Sequence, residues 1–455
     1  MTAEIAIMNR EAVVLAADSA GSIGSKVYNT INKLFTLSKY HPVGIMFYGN
    51  SALIGVPWET IIKVYRSNLG KKKFDKLEDY ANDFIKFLDG NKAFFPKEQQ
   101  KIYFTSSTYL CFKELVDKIK KRSDQFRLIG IDNDKLRDYE ESAYLNLSMD
   151  IVTREEEEKL KSYINAVCDK VPENIDEFNK YHDITIEIKD QLFNNLPSLT
   201  EEVSERLDRI AAYSYYKKNI TGIVISGFGE NDIFPSLVSY IITGVIENKL
   251  IIKKIENKCS TITFTKVAEI LPFAQTQVMD NFLYGIDPKL RAVIRLVFSR
   301  VLEEYPEKTF NHFIKMLDKE ISDKSLIEKI KKGYDDLKEE EKPQIDDLMK
   351  QFNEKSSDYN LKPIKDAVGV LPRDEMAAMA ESLLNLTSLK QRVNLGDKES
   401  VGGSIDVAVI SKVDGFVWIK RKHYFKPELN HQFFDRYFLE KGTLEKIKIA
   451  LKKKI

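Results

Sequence analysis

Six consecutive apolar residues, Ala12-Val13-Val14-Leu15-Ala16-Ala17, set the strongest constraint on how this chain can fold. A continuous apolar run of this kind reads as a β-strand covered on both faces. The residues before it agree: Ala3, Ile5 and Ile7 alternate with Thr2, Glu4, Ala6 and Met8, the period of two that a strand requires. The polar triplet Asn9-Arg10-Glu11 makes the turn between them. After a Gly/Ser-rich loop (Ser19 to Ser25), a second strand pair is expected at Lys33 to Leu37 and Val43 to Gly49, with Tyr40-His41-Pro42 between. Four strands therefore precede any helix.

The next segments carry helical spacing. A first helix is expected to open at Ser51, with Leu53, Ile54, Trp58, Ile61, Ile62 and Tyr65 on one face, and to stop at Gly70. A second is expected from about Phe74 to Leu88. Strands return at Thr221 to Gly229, Leu237 to Val245, Lys249 to Ile255 and Ser260 to Phe264, followed by a helix from about Phe273 to Leu283. A long helix from Pro372 to about Val393 precedes two last strands, Ser404 to Ser411 and Gly415 to Lys420. Two charged helical blocks interrupt this order. The expected division is 1–90 first half of the core, 91–218 helical insertion, 219–287 core strands and helix, 288–362 second helical insertion, 363–425 C-terminal core helix and hairpin, and 426–455 helical tail. Without the insertions the pattern fits an α+β fold of four layers, αββα, with two packed antiparallel sheets.

Composition removes several function classes. Among 455 residues, 70 Lys+Arg oppose 69 Asp+Glu, so no global field draws in nucleic acid or an anionic membrane. Cys111, Cys168 and Cys259 form no CxxC pair, and the five His form no HxxxH pair, which argues against a disulfide scaffold and a zinc site. With no apolar run of about 18 residues and no secretory leader, a soluble, cytoplasmic protein is expected, with no cofactor.

The residues that point to chemistry lie at the beginning. Removal of Met1 would expose Thr2 with a free α-amine, a nucleophile and a base in one residue. The amine, with a reference pKa of ~7.7–8.0, is partly neutral at working pH. Thr2 opens a strand, the returning strand delivers Asp18 beside it, and a neighbouring strand begins with Lys33. A cation there would depress the amine's pKa.

Thr2, then Ala12-Val13-Val14-Leu15-Ala16-Ala17-Asp18-Ser19, Asn32-Lys33-Leu34-Phe35 and Phe47-Tyr48-Gly49-Asn50, resemble the proteasome β-subunit family of N-terminal-nucleophile (Ntn) hydrolases. The resemblance extends to Asp397 and Ser400, which match that family's "D-x-x-S-G-G" segment except that Val401 intervenes before Gly402-Gly403. It implies Thr2 as nucleophile, Asp18 and Lys33 as polar partners, Gly49 as oxyanion-hole donor, and Asp397 and Ser400 as support for Thr2. Thr276 stands near the place of a further family Ser. The function so implied is hydrolysis of a peptide or amide substrate by a homo-oligomer, without metal, nucleic acid or membrane. The alternative is a catalytically inactive protein of the same fold that binds partners.

Overall fold

The turn at Asn9 begins the architecture. Its side-chain Oδ1 accepts the N–H groups of Glu11 (2.9 Å) and Ala12 (3.2 Å), an Asx turn that reverses the chain. The strands it joins are β1 (Ala3–Asn9) and β2 (Ala12–Ala17), buried along their whole lengths. The computed structural model describes residues 2–23, 26–107, 109–110, 220–246, 248–320, 324–341, 344–393, 401–423 and 425–432.

Further along lie β3 (Gly21–Ile23), β4 (Lys26–Tyr28), β5 (Leu34–Thr36), β6 (Val43–Gly49), β7 (Ala52–Leu53) and β8 (Val56–Pro57). Helices α1 (Trp58–Leu69) and α2 (Leu77–Gly90) follow. Then come β9 (Thr221–Gly227), β10 (Ser236–Ile246), β11 (Lys249–Lys254), β12 (Ser260–Thr261), β13 (Ala268–Ala274) and helix α3 (Gln277–Tyr284). The second charged block holds α4 (Pro288–Glu320), α5 (Lys324–Glu341) and α6 (Gln344–Ser356). The chain returns through α7 (Lys362–Val368), α8 (Arg373–Val393), β14 (Asp406–Ser411) and β15 (Gly415–Lys420).

The result is a mixed α and β fold with two main antiparallel sheets. One runs β13-β1-β2-β14-β15, the other β11-β10-β9-β6-β5 with β12 beside β10. Strand alternation sorts the side chains of β1 and β2 into two apolar layers. Ile5, Ile7, Val14 and Ala16 pack with Met279 and Leu283 of α3 and with Met376 and Leu384 of α8. Ala6, Met8, Val13 and Leu15 point the other way, onto Leu34, Met46, Val224 and Phe228 of the second sheet's side. A third layer joins Ile45, Phe47, Ile223 and Ile225 to Trp58, Tyr65, Tyr80 and Phe84 of α1 and α2. Among the described residues, no helix is long and apolar enough to cross a membrane.

Three sequence expectations fail locally. Residues 51–57 are not helical; they form the small hairpin β7–β8, whose two-residue turn has positive φ at Ile54 (48°) and Gly55 (82°). Leu53 and Ile54 are buried beneath it, so their spacing imitated a helix face. The segment 268–274 is a strand, where a helix was expected from Phe273. Pro272 is accommodated because β13 is an edge strand, where a missing N–H is tolerated. The loop after Ser19 contains the short hairpin β3–β4.

The expected block 91–218 is described only as far as residue 110, with helix over 97–107; the rest, like the tail from 433, lies outside the described residues. In the second block the Phe310 and Tyr334 rings stack at 3.8 Å, tying α4 to α5. α4 still leaves Leu290, Val293, Leu296 and Val301 about half exposed.

Candidate active site

Antiparallel pairing, with Glu4 opposite Ala17, brings the end of β2 to the start of β1. The Asp18 N–H donates to the Ala3 carbonyl at 3.1 Å, extending the ladder by one rung. The carboxylate then gathers three donors from three segments. Oδ1 accepts the Ala3 N–H (3.2 Å) and Lys33 Nζ (2.6 Å), and Oδ2 accepts the Gly402 N–H (3.0 Å). Lys33 is held by its own backbone, because its carbonyl accepts the Phe47 N–H from β6 at 3.0 Å. Asp18 and Lys33 are each only 2% exposed. Burial pulls the Lys33 ammonium below its ordinary pKa, although the charges of Asp18 and Glu4 act to raise it.

Thr2 is 4% exposed and is fixed through its main chain on both sides. Its carbonyl accepts the Gln275 N–H at 3.0 Å, and the next peptide N–H binds Asp18. The hydroxyl itself is buried and has no hydrogen-bond partner among the described residues. Thr276, next to Gln275, donates its Oγ1–H to Asp280 Oδ2 at 2.5 Å, so that hydroxyl is engaged with the first turn of α3.

Gly49 ends β6, two residues beyond Phe47, on the side of the sheet where Lys33 is anchored. It has φ of 87°, and a Cβ there would sit 2.3 Å from the Ile220 carbonyl oxygen. Gly49→Ala combines left-handed backbone with a clash against main chain that cannot rotate away. It is expected to destabilise the protein by about 1–3 kcal/mol. Urea unfolding measures this; an unchanged midpoint would contradict the strained geometry.

Asp397 and Ser400 lie outside the described residues. The residues just after them do arrive at the site: Gly402 binds Asp18, and Ser19 Oγ donates to the Ser404 carbonyl at 2.6 Å. Gly403, with φ of 75°, packs where a Cβ would meet Ser19 Oγ at 2.7 Å.

No family model, curated protein or solved structure matches this chain. The chemistry of the site therefore rests on its own geometry. Among the described residues, no group of three or more His, Cys, Asp or Glu side chains is placed to hold a metal ion.

Two features escaped the sequence reading. Asp406, opposite Ala17 across β2–β14, accepts Lys422 Nζ at 2.5 Å and the Lys422 N–H at 2.8 Å. This second buried pair is close enough for Lys422 to lower the Lys33 pKa further. Asp406 was visible only as one polar residue at the start of a strand. The other feature is Glu4, fully buried with neither carboxyl oxygen partnered among the described residues. The sequence names it only among the residues that alternate with Ala3, Ile5 and Ile7. A charged residue on a hairpin with a six-residue apolar return strand was the signal available.

Proposed function

We propose that the chain is an N-terminal-threonine amide hydrolase with the αββα sandwich of the proteasome-like Ntn hydrolases, acting on a peptide or a related amide. One observation carries the reading: Asp18 Oδ1 binds both Lys33 Nζ and the peptide N–H that follows Thr2, whose own hydroxyl has no hydrogen-bond partner among the described residues. A buried ion pair costs desolvation of both charges, so its presence there, beside a strand end, favours an electrostatic task.

With Met1 removed, Thr2 Oγ attacks the substrate carbonyl carbon while its proton passes to the Thr2 α-amine, directly or through one water. The carbonyl oxygen gains the negative charge and is met by the Gly49 N–H. Collapse breaks the C–N bond, and the ammonium returns its proton to the leaving amine, giving an ester on Thr2. Water, deprotonated by the same amine, then cleaves the ester, releasing the acid and restoring the Thr2 hydroxyl. Lys33 acts by charge, keeping the amine's pKa low enough to serve as base. A cytoplasmic homo-oligomer without cofactor belongs to the same proposal.

The burial of the Thr2 hydroxyl favours a second reading, a non-catalytic binding protein on this fold in which Thr2 merely ends a strand. Intact mass separates the two. Loss of Met1 together with adduct formation at Thr2, using an electrophile selective for N-terminal Thr, is the expected result. Retained Met1 blocks the amine and decides for the binding protein.

A further inference from the structure

Alternation places Thr2, Glu4, Ala6 and Met8 on one face of the β1 edge of the hairpin, and Ala6 and Met8 line the layer between the sheets. Glu4 therefore points into that layer, one strand repeat of about 6–7 Å from Thr2. Its neighbours across the ladders are Ala17 on β2 and Phe273 on β13, both members of the same apolar layer. A carboxyl group in such a place is costly unless it has a partner or is neutral. Yet neither oxygen is hydrogen-bonded among the described residues, and the Thr2 hydroxyl beside it is equally unpartnered. Among the described residues, three polar atoms thus stand unsatisfied where removal of Met1 would create a new cation.

We propose that Glu4 is a positioning residue of the Thr2 site: it receives the freed α-amine of Thr2 as its hydrogen-bond partner and, with Lys33, sets the pH at which that amine becomes a base. The inference rests on the N-terminal-threonine reading given above. The titratable groups that face Glu4 are Asp18 after β2, Lys33 before β5, and Tyr48 on β6, whose hydroxyl is pushed up to about 12 by burial with Glu4 adding to the effect. On β13 the facing residue is Phe273, with Lys258 Nζ 5.6 Å from its ring centre. Burial holds the Glu4 carboxyl well above its ordinary value of 4.5, with Lys33 opposing and Asp18 reinforcing. Glu4 is therefore neutral at acid pH and becomes a full negative charge as pH rises. Ionised Glu4 favours the ammonium form of Thr2, whereas Lys33 favours the free amine. The two residues bias one proton in opposite directions.

The sign of the stability effect follows from linkage. A carboxyl whose pKa is raised on folding contributes stability that is complete below 4.5 and is lost as pH climbs through its folded value. Glu4→Gln removes that loss, so the variant should gain on wild type in unfolding midpoint as pH rises. The test pairs this titration with the pH dependence of labelling of Thr2 by an N-terminal-Thr-directed electrophile. In Glu4→Gln the acid limb of the labelling rate should move to lower pH by about one unit. Glu4→Asp, which keeps an acid on a shorter arm, should lie between, and it serves in place of Glu4→Gln if the latter does not fold. Superposed labelling profiles in wild type and variants would overturn the inference while leaving the hydrolase reading intact. No labelling in any of them at any pH would overturn both.

Discussion

Thr2→Ala is expected to lose covalent labelling and amide hydrolysis by roughly 10³-fold or more, because in the proposed mechanism it deletes the atom that forms the bond. The unfolding midpoint should move little. The change removes a hydroxyl and a methyl group from a residue whose anchoring is through its main chain, by way of Gln275 and the Ala3 N–H. The hydroxyl makes no hydrogen bond among the described residues, so its removal leaves no donor or acceptor stranded. Thr2→Ser keeps oxygen and amine and should retain measurable activity. Its lost methyl group frees a rotation, so a lower rate is expected. Equal labelling of wild type and Thr2→Ala would move the nucleophile elsewhere and end the assignment.

Lys33→Met should be the most damaging single change to stability. The side chain is among the largest fully buried ones, and Met nearly matches its volume, so the loss reports charge more than packing. Asp18 would keep the N–H groups of Ala3 and Gly402 but lose its counter-ion at 2.6 Å. Breaking one partner of a buried pair costs roughly 3–5 kcal/mol. Asp18→Asn in the Lys33→Met background should recover part of that cost, and the double-mutant cycle isolates the pair. The pH dependence has a definite sign. Because burial lowers the Lys33 pKa from 10.5, the unfolded chain binds more protons between the lowered value and 10.5, so stability from this group rises with pH there. Lys33→Met should flatten that rise. Additive effects in the cycle, with wild-type labelling in Lys33→Met, would reduce the pair to a dispensable contact.

The legible part of this fold is the part governed by spacing along the chain. The period of two in β1, the unbroken apolar run of β2 and the Asn9 turn predict a hairpin, and the hairpin alone brings Asp18 to Thr2. The same local logic places α8, β15 and the glycine that ends α1, Gly70, within a residue or two. It fails at 51–57, where a tight turn with positive φ mimics helical spacing, and at β13, where Pro272 is acceptable only because the strand has a free edge. Whether a strand is an edge is a property of the sheet and has no local signature.

Burial is likewise non-local, and it decides the electrostatics. The hairpin and the strand order mark Thr2, Asp18 and Lys33 as neighbours, but they assign Glu4 no role beyond its place in an alternating strand. Only the packing of the second sheet onto that face encloses Glu4 and raises its pKa. The approach of Gly402 to Asp18 depends on a segment that returns after 384 residues, and the same return carries the Asp406–Lys422 pair, only 16 residues apart, up to the end of β2. A residue's type and spacing determine which groups can meet. The number of layers that exclude water from them determines what charge they carry, because the cost of ionisation depends on the surroundings in three dimensions.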